Sequence, residues 1–172
     1  DSKGRVTSHL TGVFTRSLAL MDKGIKLCYV FDGKVPDLKF QEIERRKSVK
    51  QEAEKLYEKA NEEGDEDEMR KYASRFSRLT PEMVGEAKAL ISYLGMPVVQ
   101  APSEGEAQAS YMTKRKDIYG VSSQDFDSLL FGAERLIRNL NISQKKKVAG
   151  KLIFQSVKPE EIVLQENLKN LG

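Results

Sequence analysis

The sequence predicts an α/β fold: a mainly parallel central sheet with helices on both faces and a projecting helical arch. Three observations carry this. Short apolar runs alternate with helix-length segments, the pattern of a sheet whose strands are joined by crossover helices. The helix-length segments open at Thr, Ser or Pro, and several close at glycine. One long stretch, 36–79, breaks that rhythm with a run of Glu, Lys, Arg and Gln. The expected organisation is one domain over 1–172 with 36–79 inserted into it as the arch.

The elements follow in order. Thr7 or Ser8 caps a first helix whose apolar positions Leu10, Val13, Phe14, Leu18 and Met21 share one face, and Gly24 stops it. Ile25 to Phe31 reads as a short buried strand running into Asp32 and Gly33, with Cys28 as a small core residue. Pro36 to Leu79 reads as two charged helices joined by a turn near Asn61 to Gly64, both too polar to be buried all round. Thr80 and Pro81 supply the cap and first position of a helix carrying Met83, Val84, Ala87, Leu90, Ile91 and Leu94, ending at Gly95. Met96 to Val99 is a strand, Ser103 opens a helix to about Arg115, and Ile118 to Ser122 is a strand. Asp125 to Leu130 is a short helix or turn ended by Gly132. Arg135 to Leu140 and Lys151 to Val157 read as strands with a Lys-rich turn between them, and Pro159 opens a terminal helix that stops at Gly172.

Composition sets limits. The 172 residues, 39% of them hydrophobic, suffice for a domain with a full-sized core. The charged fraction of 32% calls for a long solvated element. A single cysteine excludes an internal disulfide, and it fits an intracellular protein, as does the lack of a leader-like segment. No apolar run approaches the roughly 18 residues of a membrane span. The one histidine, His9, gives no basis for histidine chemistry, and no Gly-rich loop of the nucleotide-binding kind is present. Net charge is only +3, but Arg135 to Lys158 contains no acid and includes Arg138, Lys145, Lys146 and Lys147. Such a stretch suits phosphates, and it equally suits a solvated loop.

The acids are placed more tellingly. Asp32 follows one predicted strand, Glu104 and Glu106 a second, and Asp125 and Asp127 a third. Open α/β sheets form sites outside the carboxyl ends of their strands, so parallel strands would bring these acids to one edge. Crowded carboxylates need cations to stay ionised together. Oxygen ligands without His or Cys suit Mg²⁺ or Mn²⁺ rather than zinc. Two such ions about 3.5–4 Å apart clamp the attacking and leaving oxygens of a phosphodiester. Structural roles stay open: Ser103 and Glu106 form a capping-box pattern, Glu104 suits a helix start, Asp125 suits an N-cap, and Asp32-Gly33 suits a turn.

Three stretches then resemble one family. TSHLTGVFTRSLALMDKGIKLCYVFDGKVPDLK, QAPSEGEAQASY and SSQDFDSLLFGAERLIRNL are similar to the core of the archaeal and eukaryotic flap endonucleases, structure-specific 5′ nucleases of DNA replication and repair. The resemblance implies that Asp32, Glu104, Glu106, Asp125 and Asp127 bind two Mg²⁺ ions, with Mn²⁺ able to substitute. It implies that 36–79 is the arch through which a 5′ flap passes, and that Lys39 and Arg46 face the scissile phosphate. Seven residues separate these two, about two helical turns, so one face can carry both. DNA with a 5′ flap or branch is the implied partner, with Arg138 and Lys145, Lys146 and Lys147 as DNA contacts. A monomer with no membrane association is expected, cytoplasmic in an archaeon and nuclear in a eukaryote. The family also carries an earlier strand with a further metal-binding Asp and a base-stacking Tyr. Beyond Gly172 it carries a helix–two-turn–helix region with a last Asp, then a sliding-clamp peptide. The expectation is therefore an incomplete 5′-nuclease core.

Overall fold

A computed structural model of the chain describes residues 6–76, 79–140, 143–148 and 151–171. The chain divides into two compact units, Asp1–Lys34 with Ala87–Gly172 and Val35–Glu86, each described by itself.

In the first unit, helix α1 (Ser8–Met21) starts after Thr7 and is closed by Gly24 at φ 77°. Its buried residues are Ser17 and Leu20, whereas Phe14, Leu18 and Met21 are exposed. The predicted apolar face is thus not the buried one. The buried Ser17 hydroxyl is satisfied by Val13 O at 2.7 Å and by the hydroxyl of Tyr29, on strand β1 (Tyr29–Phe31), at 2.8 Å. Strand β1 is shorter than expected, and Cys28 lies just before it, half-buried.

The second unit begins with a 3-10 turn, Asp37–Lys39, leading into α2 (Phe40–Glu63). Gly64, left-handed at φ 71°, ends α2, and Asp65 then caps α3 (Glu66–Phe76) by accepting the Asp67 and Glu68 N–H groups at 3.1 and 3.0 Å. Helices α2 and α3 pack on each other, and the buried residues of α2 are only Ala53 and Ala60. Helix propensity and short-range pairs such as Glu42–Arg45, Glu42–Arg46 and Glu68–Lys71 carry the rest.

Helix α4 (Pro81–Tyr93) starts as predicted, with Thr80 Oγ1 accepting Met83 N–H at 3.3 Å. Back in the first unit, β2 (Val98–Gln100) pairs in parallel with β1, Phe31 opposite Gln100. Helix α5 (Gly105–Lys114) buries a face of small residues, Gly105, Ala109, Ser110 and Thr113. That face packs on β1, on β3 (Val121–Ser122) and on α6 (Asp127–Leu130). Ala109, Val121 and Ala133 form the centre of the core, with Val30 and Ile118 against them. Strand β4 (Arg135–Arg138) pairs in parallel with β3, and β5 (Ser143–Val148) with β6 (Lys151–Ser156) as an antiparallel hairpin.

The α/β class and its parallel pairs are therefore present, in short strands. Two further local expectations fail. Lys145, Lys146 and Lys147 lie within β5, opposite Phe154, Ile153 and Leu152, not in a turn. After Pro159 the chain forms β7 (Glu160–Val163), antiparallel to β4, before α7 (Leu164–Leu171). Ile162 and Val163 favour strand, and Glu160 and Glu161 reach Arg138 and Arg135 across the pair. The predicted stop at Gly172 lies outside the described residues.

Candidate metal centre

The site is built where the ends of β1 and β2 are laced together. Ala101 N–H donates to Phe31 O at 2.8 Å, Gly33 N–H to Ser103 O at 2.5 Å and Lys34 N–H to Pro102 O at 3.2 Å. The Gln100 side chain closes the seam: its Nε2 donates to Asp32 O at 2.7 Å and lies 3.2 Å from Phe31 O. Its Oε1 accepts from Lys88 Nζ, which stands 5.0 Å from the centre of the Phe31 ring. Gly33 is required at this crossing. A Cβ there would fall 2.1 Å from Ala101 O and 2.7 Å from the Pro102 carbonyl carbon.

Asp32 emerges from that seam at the N-terminus of α5. Its Oδ1 accepts Gly105 N–H at 2.7 Å, while Glu104, the N-cap, offers no side-chain cap of its own. A carboxylate at this position is favoured by the unsatisfied N–H groups and the helix dipole. Gly105 leaves room for it, since a Cβ would stand 3.0 Å from the same oxygen.

Glu106, one residue further along, does not form the capping box that its spacing suggested. The N-cap is Glu104, and Glu106 Oε1 instead accepts the Ser123 hydroxyl at 2.5 Å. Ser123 Oγ also accepts Asp125 N–H at 3.1 Å. Asp125 is not an N-cap either; Phe126 holds that position, and Asp127 is the first residue of α6. Behind them, the buried Ser110 hydroxyl lies 2.7 Å from Glu106 O and 2.9 Å from Ser128 O, fastening α5 to α6. Thr113 Oγ1 accepts Glu134 N–H at 3.1 Å and ties in the approach to β4.

The loops after β1, β2 and β3 thus meet at one end of α5 and bring in Asp32, Glu104, Glu106 and Asp125. No three His, Cys, Asp or Glu side chains among the described residues stand as a ready-made ion-holding group. The donor chemistry fits a hard divalent ion, being all carboxylate. One oxygen of Asp32 and one of Glu106 are anchored by N–H or O–H donors, the arrangement that orients ligating carboxylates.

The other predicted residues are placed as follows. Arg138 is drawn in: its guanidinium lies 4.4 Å from the centre of the Phe126 ring and pairs with Glu160 at 3.6 Å. Lys39 and Arg46 belong to the second unit, Lys39 ending the 3-10 turn and Arg46 donating from Nε to Glu42 Oε1 at 2.8 Å. The bonds from Arg45 and then Arg46 pull the Glu42 carboxyl down to about 2. Sequence reasoning missed Gln100, Gly105, Ser110 and Ser123. Only the Glu-Gly-Glu sequence around Gly105 gave any local sign of them.

The XPG N-terminal domain model matches residues 1–53 and the XPG I-region model residues 95–172. The Flap endonuclease 1 of Ignicoccus hospitalis is 56% identical over 172 residues, 100% of this chain and 49% of the relative. The chain belongs to the flap endonuclease family. Among solved structures, flap endonuclease-1 from Methanococcus jannaschii shares 43% identity at a TM-score of 0.63, covering 99% of this chain and 50% of that one. The catalytic core of Rad2 in complex with DNA substrate shares 26% at 0.64, covering 97% and 41%. The chain thus spans about half the length of the flap endonucleases it matches. Both matched regions contain predicted site residues: Asp32, Lys39 and Arg46 in the first, the other acids in the second.

Proposed function

We propose that this chain carries the metal-holding core and the arch of a structure-specific 5′ nuclease that hydrolyses DNA phosphodiesters at 5′ flaps or branches, as in replication and repair. The observation that supports it most is the meeting of Asp32, Glu106 and the Asp125 loop at the start of α5. Asp32, Glu104, Glu106, Asp125 and Asp127 would hold two Mg²⁺ ions, with Mn²⁺ as a substitute. Bound there, the ions supply Lewis-acid stabilisation of the attacking and leaving oxygens.

The chain's own groups do the rest. Asp32 and Glu106 hold fixed orientations because each is anchored through one oxygen. Lys39 and Arg46 neutralise charge growing on the scissile phosphate, where preorganised donors have their largest effect. The basic β5 strand, with Lys145, Lys146 and Lys147, binds phosphates away from the cleaved bond. Arg138 is already engaged by Phe126 and Glu160, so it contributes less to that contact. The working form is a monomer on DNA, in the cytoplasm of an archaeon or the nucleus of a eukaryote, with a sliding clamp as partner of the full-length protein. No helix among the described residues is long and apolar enough to cross a membrane.

The test is cleavage of a labelled 5′-flap duplex by the protein expressed from its full reading frame. Mg²⁺-dependent cutting at the flap junction, with little cutting of blunt duplex, is expected. Binding of the flap without cutting would replace this reading with a non-catalytic DNA-binding module.

A further inference from the structure

We infer that Ser123 is a positioning residue that sets Glu106 and the Asp125 loop in register for ion binding. This rests on the proposed metal-dependent function and goes one layer behind its ligands.

The argument begins with the bonding capacity of one hydroxyl. A serine hydroxyl has a single proton to give and two lone pairs to accept with. Glu106 Oε1, 2.5 Å away, is a carboxylate oxygen and accepts, so Ser123 donates to it. The Asp125 N–H, 3.1 Å away, can only donate, so Ser123 accepts from it. The two bonds use different parts of the hydroxyl and exist together.

A turn formed by Ser123 alone would need only the bond to Asp125, two residues on. The bond to Glu106 is different in kind, joining residues 17 apart on separate elements. Ser123 follows β3 directly, so its position is set by the pairing of Val121 and Ser122 with Leu136 and Ile137. The hydroxyl therefore transmits the place of the sheet to a carboxylate on α5. Hydrogen bonds to a carboxylate oxygen are short and strong, and this one orients the Glu106 side chain. The Ser110 hydroxyl, four residues on in the same helix, meets the Glu106 carbonyl at 2.7 Å, a bond inside α5 that carries nothing from the sheet. Among the described residues, Ser123 is the side chain hydrogen-bonded to the end of Glu106 that would meet an ion.

Partners of this kind behind ligands are worth roughly 10–100-fold in metal affinity or activity. The test uses the protein from its full reading frame, titrated with Mn²⁺ and followed by paramagnetic resonance or calorimetry. The variants are Ser123→Ala, Ser123→Thr, Glu106→Gln and Ser17→Ala, with metal-free thermal unfolding measured on each. Ser17 is a buried hydroxyl bonded to Tyr29, away from this network. The expected result is a roughly tenfold weaker Mn²⁺ affinity in Ser123→Ala, recovered in Ser123→Thr, which keeps the hydroxyl. Ser17→Ala should lower the unfolding temperature and leave Mn²⁺ affinity unchanged. Wild-type affinity in Ser123→Ala beside weakened affinity in Glu106→Gln would overturn the role of Ser123 and leave the metal reading standing. A loss in Ser123→Ala that Ser123→Thr does not recover would also overturn it, because the effect would not belong to the hydroxyl. Unchanged affinity in Glu106→Gln would overturn the metal reading and this inference with it.

Discussion

Asp32 Oδ1 accepts the backbone N–H of Gly105 at 2.7 Å, so a carboxylate at the end of β1 caps a helix 73 residues further along the chain. The bond joins two of the strand-end loops from which the candidate metal centre is made. It also explains why the first residue of α5 is glycine, since a methyl group would sit 3.0 Å from the carboxylate oxygen.

Gly105→Ala should separate function from stability. The new Cβ must displace the Asp32 carboxylate by a few tenths of an ångström, while alanine's helix propensity returns up to about 1 kcal/mol. The expected outcome is an unfolding midpoint near that of the wild type and flap cleavage reduced roughly tenfold or more. Urea denaturation beside single-turnover cleavage measures both. A variant that cuts normally would mean that the placing of Asp32 does not matter to the reaction.

Gly33→Ala should act in the opposite way. Its Cβ would overlap the backbone of Ala101 and Pro102, and neither can move without opening the β1–β2 seam. A loss of about 3 kcal/mol in folding stability is expected. A loss below about 1 kcal/mol in denaturant unfolding would show that the seam adapts more easily than its geometry implies.

Much of this fold was legible because its punctuation is local. Gly24, Gly64, Gly95 and Gly132 all take positive φ at element ends, and Thr80 caps α4 as its position before Pro81 suggests. Placing the acids after the first three strands needed only strand recognition. What escaped notice depends on partners distant in sequence. The Glu160–Val163 segment becomes a strand because β4 lies beside it, and Lys145 to Lys147 become a strand because β6 does. The buried side of α1 follows Ser17 and not the apolar stripe, because the Ser17 hydroxyl finds its partner in the Tyr29 hydroxyl, which lies outside the helix. Ser123 and Gln100 carry no sign of their roles until the loops around them meet.

Glu42 should titrate abnormally. Bonds from Arg45 and then Arg46 hold its carboxyl near 2, below the ordinary 4.5. The shift is downward, so the paired form is complete above the ordinary value and is lost as pH falls through about 2. A carboxyl NMR titration should place the midpoint close to that value in wild type. In Arg45→Ala it should move up toward the ordinary one. A wild-type midpoint above about 4, within the usual glutamate range, would mean that the two arginines do not hold Glu42 in solution.

Two groups of basic residues should fail differently. Lys39→Ala and Arg46→Ala should each lower the single-turnover rate by roughly 10²–10³-fold with little change in DNA affinity, because they act where charge develops. Neutralising Lys145, Lys146 or Lys147 should weaken binding and reduce its salt dependence by about one unit of slope per lost phosphate contact. Cleavage of DNA already bound should then be nearly normal. Equal losses of rate and affinity in both groups would remove the distinction drawn between scissile and distant phosphates.

The central claim is that Asp32, Glu104, Glu106, Asp125 and Asp127 hold the ions that cut DNA. Single-turnover cleavage of a 5′-flap substrate in Mg²⁺, with affinity measured separately in Ca²⁺, tests it most directly on Asp32→Ala and Asp125→Ala in the protein from its full reading frame. The account predicts that each substitution slows cleavage on the order of a thousandfold, with flap affinity within about threefold of wild type. Cleavage at the wild-type rate in either variant would contradict it.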